Sequence, residues 1–234
     1  MAIQAHRGSP DPSQGIVENT LEAFARARQL GADGVELDVR LTADGALAVH
    51  HDAAIPGVGE VADLEVRDLP DHVPLLPAVL AVATGLTVNI EVKNLPTEPS
   101  YDPDEAAARA VADAIAQADP AVDAVVSSFW PPSLAAVLAV DSTLVTGLLL
   151  PDWADPAASL ILAQDMGCRA LHLHRSLVTA SRVADVHAAG MAVAVWTVND
   201  PGEIAALADL GVDTIITDDV PLALASVPDQ VNPA

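Results

Sequence analysis

The sequence predicts an α/β protein: a (β/α)8 TIM barrel with a β-hairpin extending from the second strand at the C-terminal rim. Two observations carry this. Short apolar, β-branched runs alternate with alanine-rich helical stretches along the whole chain, the pattern of βα units around a parallel sheet. The length, 234 residues, suits one such barrel, so 1–234 is expected to be a single domain.

Taken in order, nine runs read as strands: Ala2 to His6, Val35 to Arg40, Leu47 to His51, Thr87 to Val92, Ala124 to Ser128, Leu144 to Leu150, Ala170 to His174, Met191 to Val198 and Thr214 to Thr217. A barrel needs eight. The surplus resolves at "LTADG", which is too short for a parallel crossover and contains Asp44-Gly45, a two-residue hairpin signal. Leu47 to His51 is therefore expected to fold back antiparallel, projecting above the barrel.

Helices follow with ordinary punctuation. "ENTLEAFARARQLG" offers Asn19 as N-cap, Glu22 three residues on and Gly31 at the far end. Further helices are expected over Pro74 to Thr84, Pro103 to Ala118, Pro131 to Val140, Asp155 to Met166, Ser176 to Ala189 and Asp200 to Leu210, with Asn199 capping the last. "YDPDE" and the tail "SVPDQVNPA" read as loop and terminus.

Composition narrows the function. There are 33 Asp+Glu against 10 Lys+Arg, a formal charge of −23. Nucleic acids and anionic membranes are bound through clustered Lys and Arg, so neither is an expected partner and no stable membrane association is expected. One cysteine, Cys168, excludes an internal disulfide and a Cys-rich metal site. "MAIQAHRGSP" lacks the pattern of a signal peptide and no apolar run reaches the ~18 residues of a membrane span. The expectation is a cytoplasmic protein with a small-molecule substrate; the oligomeric state is left open.

The unusual polar residues fall at the C-terminal ends of strands, where a barrel keeps its active site. Glu36 and Asp38 are two apart on a strand and leave the same face, and Glu91 does the same beside Lys93, the chain's sole lysine. Three carboxylates thus converge on one mouth. Unit charges ~4 Å apart repel by about 4 kcal/mol at an effective dielectric near 20. A cation relieves that, and an all-oxygen donor set favours Mg2+ or Ca2+. If Asp44-Gly45 is the turn, pairing follows 44 + 45 = 89, which sets His51 opposite Asp38 and turns His50 away. His6 arrives from the neighbouring first strand, and two imidazoles beside a metal can share acid and base work. Arg7 and Lys93 then form a local positive basin in a negative protein, and Lys93 is expected to touch a phosphoryl oxygen. His172 and His174 are expected to divide between barrel interior and helix side as hydrogen-bonded core residues.

"HRG", "ENT", "AFARARQLGADGVELDVRLTADGALAVHHD", "NIEVK", "SSF", "WTVN" and "ITDDV", in this order, resemble the glycerophosphodiester phosphodiesterase family, whose barrel is related to the phosphatidylinositol-specific phospholipases C. The resemblance implies that Glu36, Asp38 and Glu91 are the divalent-metal ligands, His6 and His51 the general acid/base pair, and Arg7 and Lys93 the phosphate contacts. It also implies that Phe129 and Trp196 line an alcohol pocket. The implied reaction converts a glycerophosphodiester to sn-glycerol 3-phosphate and an alcohol, a substrate hydroxyl attacking first and water opening the cyclic phosphate. Departures from the family pattern are Val17 where proline is common before "ENT", the neutral "HDAAIPGVGEV", and a short segment after Glu91 with no room for an insertion domain. Two other readings compete: a phospholipase-type diesterase acting on lipid headgroups, and a catalytically inactive barrel used for binding.

Overall fold

The computed structural model describes residues 1–98 and 100–227. In chain order the elements begin with β1 (Ala2–Ala5), α1 (Leu21–Gln29), β2 (Gly34–Leu41), β3 (Leu47–Val49), β4 (Ala54–Ile55), β5 (Gly59–Glu60), α2 (Leu76–Val82) and β6 (Thr87–Val92). Then α3 (Ala106–Gln117), β7 (Asp123–Ser128), α4 (Pro131–Val140), β8 (Val145–Leu150), α5 (Pro156–Met166) and β9 (Ala170–His174) follow. The chain closes with α6 (Ala180–Ala188), β10 (Ala192–Trp196), α7 (Pro201–Asp209), β11 (Thr214–Thr217) and α8 (Val220–Ser226). β1, β2 and β6 to β11 pair in parallel, and β1 contacts both β11 and β2, so the sheet closes into the expected (β/α)8 barrel.

Strand alternation explains the two environments. Leu37, Val88, Ile90, Leu171, Leu173 and Ile215 face outward and bury completely against helix residues such as Phe24, Leu76, Leu134 and Ile204. Each such side chain contributes about 1.5–3 kcal/mol on burial. The opposite faces carry Gln4, Glu36, Asn89, Ser127 and His172, which gives the barrel a polar interior below its mouth.

β3 does return antiparallel on β2, but its register differs from the expected one. Val39 pairs with Val49, so the sum is 88 and the partner of Asp38 is His50, whose N–H donates to the Asp38 carbonyl at 3.0 Å. The connection is a three-residue turn rather than two. Thr42 N donates to Ala46 O at 2.9 Å, Gly45 N donates to Thr42 O at 3.0 Å, and Gly45 takes φ 82°, the bulged form of hairpin. Thr42 Oγ1 anchors the loop by donating to Asp44 at 2.6 Å and accepting from Ala46 N at 2.9 Å. A second small ribbon, β4 with β5, extends this rim and was not expected.

Two helix caps also shift by one residue. Thr20, not Asn19, caps α1, its hydroxyl accepting from Ala23 N at 3.2 Å. Asp200, not Asn199, caps α7, accepting from Glu203 N at 2.9 Å. In both places the displaced asparagine is spent on the site below. α6 starts later than expected because a 3-10 turn over Arg175–Leu177 intervenes. Ser226 of the expected terminal loop ends α8, and 228–234 lie outside the described residues.

Candidate active site

The site is assembled at the C-terminal ends of β1, β2, β6, β7, β10 and β11. Glu36 and Asp38 rise from β2 and Glu91 from β6, with Asp38 and Glu91 in direct cross-strand register. One oxygen from each of the three carboxylates lies within 4.8 Å of the others. The convergence read from the sequence is thus present. All three are buried or nearly so, which makes their charges costly.

Several groups compensate. Lys93 Nζ lies 2.9 Å from Glu91 Oε1 and 3.6 Å from Asp38 Oδ1. The Arg7 backbone N–H donates to Glu36 Oε2 at 3.0 Å, and Arg7 Nε stands 3.4 Å from Asp38 Oδ2, too poorly aligned to count as a hydrogen bond. Asn19 Nδ2 donates to Asp38 Oδ2 at 3.0 Å. The ionisation pattern follows. Burial would raise Asp38, but Lys93, His51 and Arg7 overrule it and its pKa is lowered. Glu36 lacks such a partner, so burial and the Asp38 charge push it up to about 8. Burial alone would lower Lys93, yet Glu91 and Asp38 pull it up, which keeps it charged.

"HRG" and "ENT" now have separate duties. Arg7 holds φ 52° and Asn19 φ 56°, left-handed conformations that cost of order 1–3 kcal/mol each and persist here because both residues are tied into the site. Gly8 follows at φ 80°, where a Cβ would sit 2.9 Å from Ala23, so α1 could not approach a larger residue. Glu18 accepts from Arg7 Nη1 at 2.8 Å, Asn19 orients Asp38, and Thr20 caps α1.

His6 and His51 flank the carboxylates. His6 Nδ1 donates to Asp218 Oδ1 at 2.7 Å, which leaves Nε2 directed inward, 3.9 Å from Glu36 Oε2. Burial lowers its pKa, but the Asp218 hydrogen bond and the Glu36 charge outweigh that and the net direction is upward. Asp218 is itself held by Asn199, whose Nδ2 donates to Asp218 Oδ2 at 2.6 Å while its Oδ1 accepts from Thr217 Oγ1 and Asp218 N. His51 reaches the same cleft although strict alternation would aim His50 there, because the chain bends at residue 51 just past β3. Its Nδ1 pairs with Asp52 Oδ1 at 2.8 Å, and its pKa is lowered by burial and by Lys93 and Arg7, against Asp38 and Asp52.

The cleft occupies about 260 Å3. Phe129 and Trp196 form one wall, their rings edge to face at 5.4 Å, and Trp196 also meets His174 at 5.2 Å. His172 and His174 do not divide between the two sides. They are two apart on β9 and both lie opposite the outward Leu171 and Leu173. His172 is sealed in the interior, and burial lowers its pKa to about 4. A larger concavity, about 660 Å3, lies on the outer wall between α2, α3 and the hairpin, but it is lined mostly by alanine and leucine and gathers no comparable cluster.

Sequence reasoning sets Asp218 and Asn199 at the C-terminal rim but gives Asp218 no role and Asn199 only that of a cap. Their signal was available in "WTVN" and "ITDDV" at the ends of adjacent strands, but parallel register alone does not reveal that one side chain holds the other.

Comparison with known proteins now decides the family. The profile of the glycerophosphoryl diester phosphodiesterase family matches residues 6–222. The chain belongs to that family. It is accordingly an enzyme, a phosphoric diester hydrolase. It is 30% identical over 243 residues to the glycerophosphodiester phosphodiesterase of Caldanaerobacter subterraneus subsp. tengcongensis, covering 93% of each chain. A glycerophosphodiester phosphodiesterase of Bacillus altitudinis is 31% identical over 245 residues, covering 92% of this chain and 94% of the relative. Among solved structures, an Oleispira antarctica phosphodiesterase in complex with the product sn-glycerol-3-phosphate superposes with a TM-score of 0.85 at 25% identity, covering 97% of this chain and 96% of that one. The Thermotoga maritima glycerophosphodiester phosphodiesterase gives a TM-score of 0.80 at 25% identity over 96% and 97% of the two chains. Among the described residues no helix is long and apolar enough to cross a membrane.

Proposed function

We propose that this phosphodiesterase hydrolyses glycerophosphodiesters to sn-glycerol 3-phosphate and a free alcohol, with one divalent cation, Mg2+ or Ca2+, and with His6 and His51 as its acid–base pair. The observation that carries this reading is the placement of three convergent carboxylates between two imidazoles, in a cleft that also presents Arg7 and Lys93. The donor set fits a hard cation: only carboxylate oxygens, buried, with Glu36 unable to ionise comfortably on its own. Glu36, Asp38 and Glu91 would hold that ion, which when bound supplies positive charge to the phosphoryl oxygens.

The chain's own residues divide the remaining work. His51, whose pKa is lowered and which is therefore the neutral imidazole of the pair, takes the proton of the glycerol hydroxyl as its oxygen bonds to phosphorus. His6, backed by Asp218 and with its pKa raised, gives a proton from Nε2 to the alcohol oxygen as that oxygen's bond to phosphorus breaks. In the second step His6 takes a proton from water as the water oxygen bonds to phosphorus, and His51 returns its proton to the glycerol oxygen as the cyclic bond between that oxygen and phosphorus breaks. Arg7, whose Nε has no hydrogen-bond partner among the described residues, and Lys93 meet the phosphate anion. Phe129 and Trp196 wall the space for the alcohol. The −23 charge favours a small dispersed substrate over an anionic lipid surface, in keeping with a cytoplasmic enzyme.

The test is hydrolysis of sn-glycero-3-phosphocholine with Mg2+, with Ca2+ and after EDTA. sn-Glycerol 3-phosphate and choline in equal amounts support the reading. Release of phosphocholine and glycerol, or inert protein under every divalent ion, overturns it.

A further inference from the structure

Arg40 is two residues beyond Asp38 and so on the same face of β2 as the carboxylate pair, yet it does not line the cleft. Its guanidinium is buried, 5% exposed, and every donor direction used is accounted for by two partners. Nε donates to the His51 backbone carbonyl at 2.8 Å. Nη1 and Nη2 donate to the two oxygens of Glu98 at 2.7 and 3.1 Å, a two-pronged ion pair across 58 residues of chain. Glu98 belongs to the segment between β6 and α3, just beyond Lys93.

His51 needs such a support. Regular pairing of β3 with β2 ends at Val49, and alternation from that point would carry His51 to the wrong side. Among the described residues its ring hydrogen-bonds only to its chain neighbour Asp52, which is exposed. Among the described contacts, the Arg40 bond is the one that ties the His51 main chain to the barrel. The geometry points to Arg40 and Glu98 as positioning residues for the reaction: Glu98 fixes the plane of the Arg40 guanidinium, and Arg40 fixes the bend that delivers His51 to the cleft. This rests on the reading of His51 as an acid–base group. A lysine cannot reproduce it, because one ammonium cannot span the His51 carbonyl and both Glu98 oxygens at once.

The experiment is a kinetic double-mutant cycle on the full chain, with sn-glycero-3-phosphocholine as substrate and thermal unfolding measured alongside. Arg40→Lys should lower kcat by roughly 10-fold with KM changed less than about twofold, since the loss concerns the chemical step. His51→Ala should lower kcat by about 10²-fold or more. The double variant should be no slower than His51→Ala alone, because Arg40 acts through a side chain that is already gone. Glu98→Gln, which keeps shape and one acceptor, should give the same pattern with a smaller loss and serves if Arg40→Lys folds poorly. Losses that multiply in the double variant, or a kcat loss that merely tracks melting temperature, overturn the positioning role while leaving His51 in place. His51→Ala at the wild-type rate overturns the underlying reading, and the latch with it.

Discussion

Lys93 Nζ lies 2.9 Å from Glu91 Oε1, two positions away and one residue past the end of β6. It also stands 3.6 Å from Asp38, with its side chain only 8% exposed. The chain's sole lysine thus offsets charge that its neighbours cannot shed, in a protein with 33 acidic residues. Removing one member of a buried pair costs about 3–5 kcal/mol, because the other is left uncompensated. For a domain of this size that lowers the melting temperature by on the order of 10 °C. We expect Lys93→Met to melt earlier than wild type in EDTA, and to recover part of the difference when Mg2+ or Ca2+ is added. Thermal unfolding in the two conditions checks this; identical melting temperatures in EDTA would contradict the pairing. The same variant should bind sn-glycerol 3-phosphate at least 10-fold more weakly if Lys93 meets the phosphate.

Glu36 couples ion binding to pH. Burial and Asp38 hold its pKa at about 8 in the ion-free site, so at pH 7 it carries a proton that a cation must displace. Affinity for the cation should rise as pH climbs toward 8 and level off above it. Calorimetric titration at pH 7 in two buffers of different ionisation enthalpy should report most of one proton released per ion. No release would mean that Glu36 is already ionised or takes no part.

His172 gives a stability signature distinct from the site's chemistry. Folded, its pKa is about 4; unfolded, it returns to about 6.5. Between those values the unfolded chain binds the proton and the folded one does not. Stability is therefore lost as pH falls from about 6.5 to 4, by up to about 3 kcal/mol, and is unaffected by this group above that window. Gly147 packs against the ring so closely that a Cβ there would lie 2.3 Å from Nε2, and among the described residues Nδ1 has no hydrogen-bond partner to hold a proton. Urea unfolding of wild type and His172→Asn at pH 7 and pH 4.5 should show a smaller loss in the variant.

Asp218 acts on His6 by orientation. With its 2.7 Å bond removed, the His6 ring loses its preferred tautomer and its fixed direction toward Glu36. Asp218→Ala should lower kcat by roughly 10- to 100-fold with cation affinity unchanged. Asn199→Ala, which frees Asp218 itself, should lower kcat less. Steady-state kinetics and calorimetry on the same preparations separate the two effects; a parallel fall in cation affinity would place Asp218 elsewhere in the mechanism.

How much of this was legible in the sequence depends on range. The barrel was, because each βα unit announces itself locally through alternation and helical period, and the carboxylate cluster followed since positions two apart on a strand share a face. The hairpin register was misread by one residue because the turn type depends on whether Gly45 occupies a two-residue turn or a bulge, and "TADG" permits both. His51 nonetheless reached the cleft, through a bend held by Arg40 and not through the register that was used to place it. Asparagine before a helix is usually a cap, but the adjacent Thr20 serves equally and frees Asn19 for Asp38. The Asp218, Asn199 and Glu98 contacts join residues far apart in the chain, and no local pattern encodes them.

The most direct measurement of the central claim is turnover of sn-glycero-3-phosphocholine after EDTA treatment, titrated with Mg2+ or Ca2+, for wild type and for Glu91→Gln. The account predicts that treated wild type is inactive, that one bound ion per chain restores release of sn-glycerol 3-phosphate, and that Glu91→Gln stays inactive at the same ion concentration. Full activity in EDTA, or in Glu91→Gln, would contradict it.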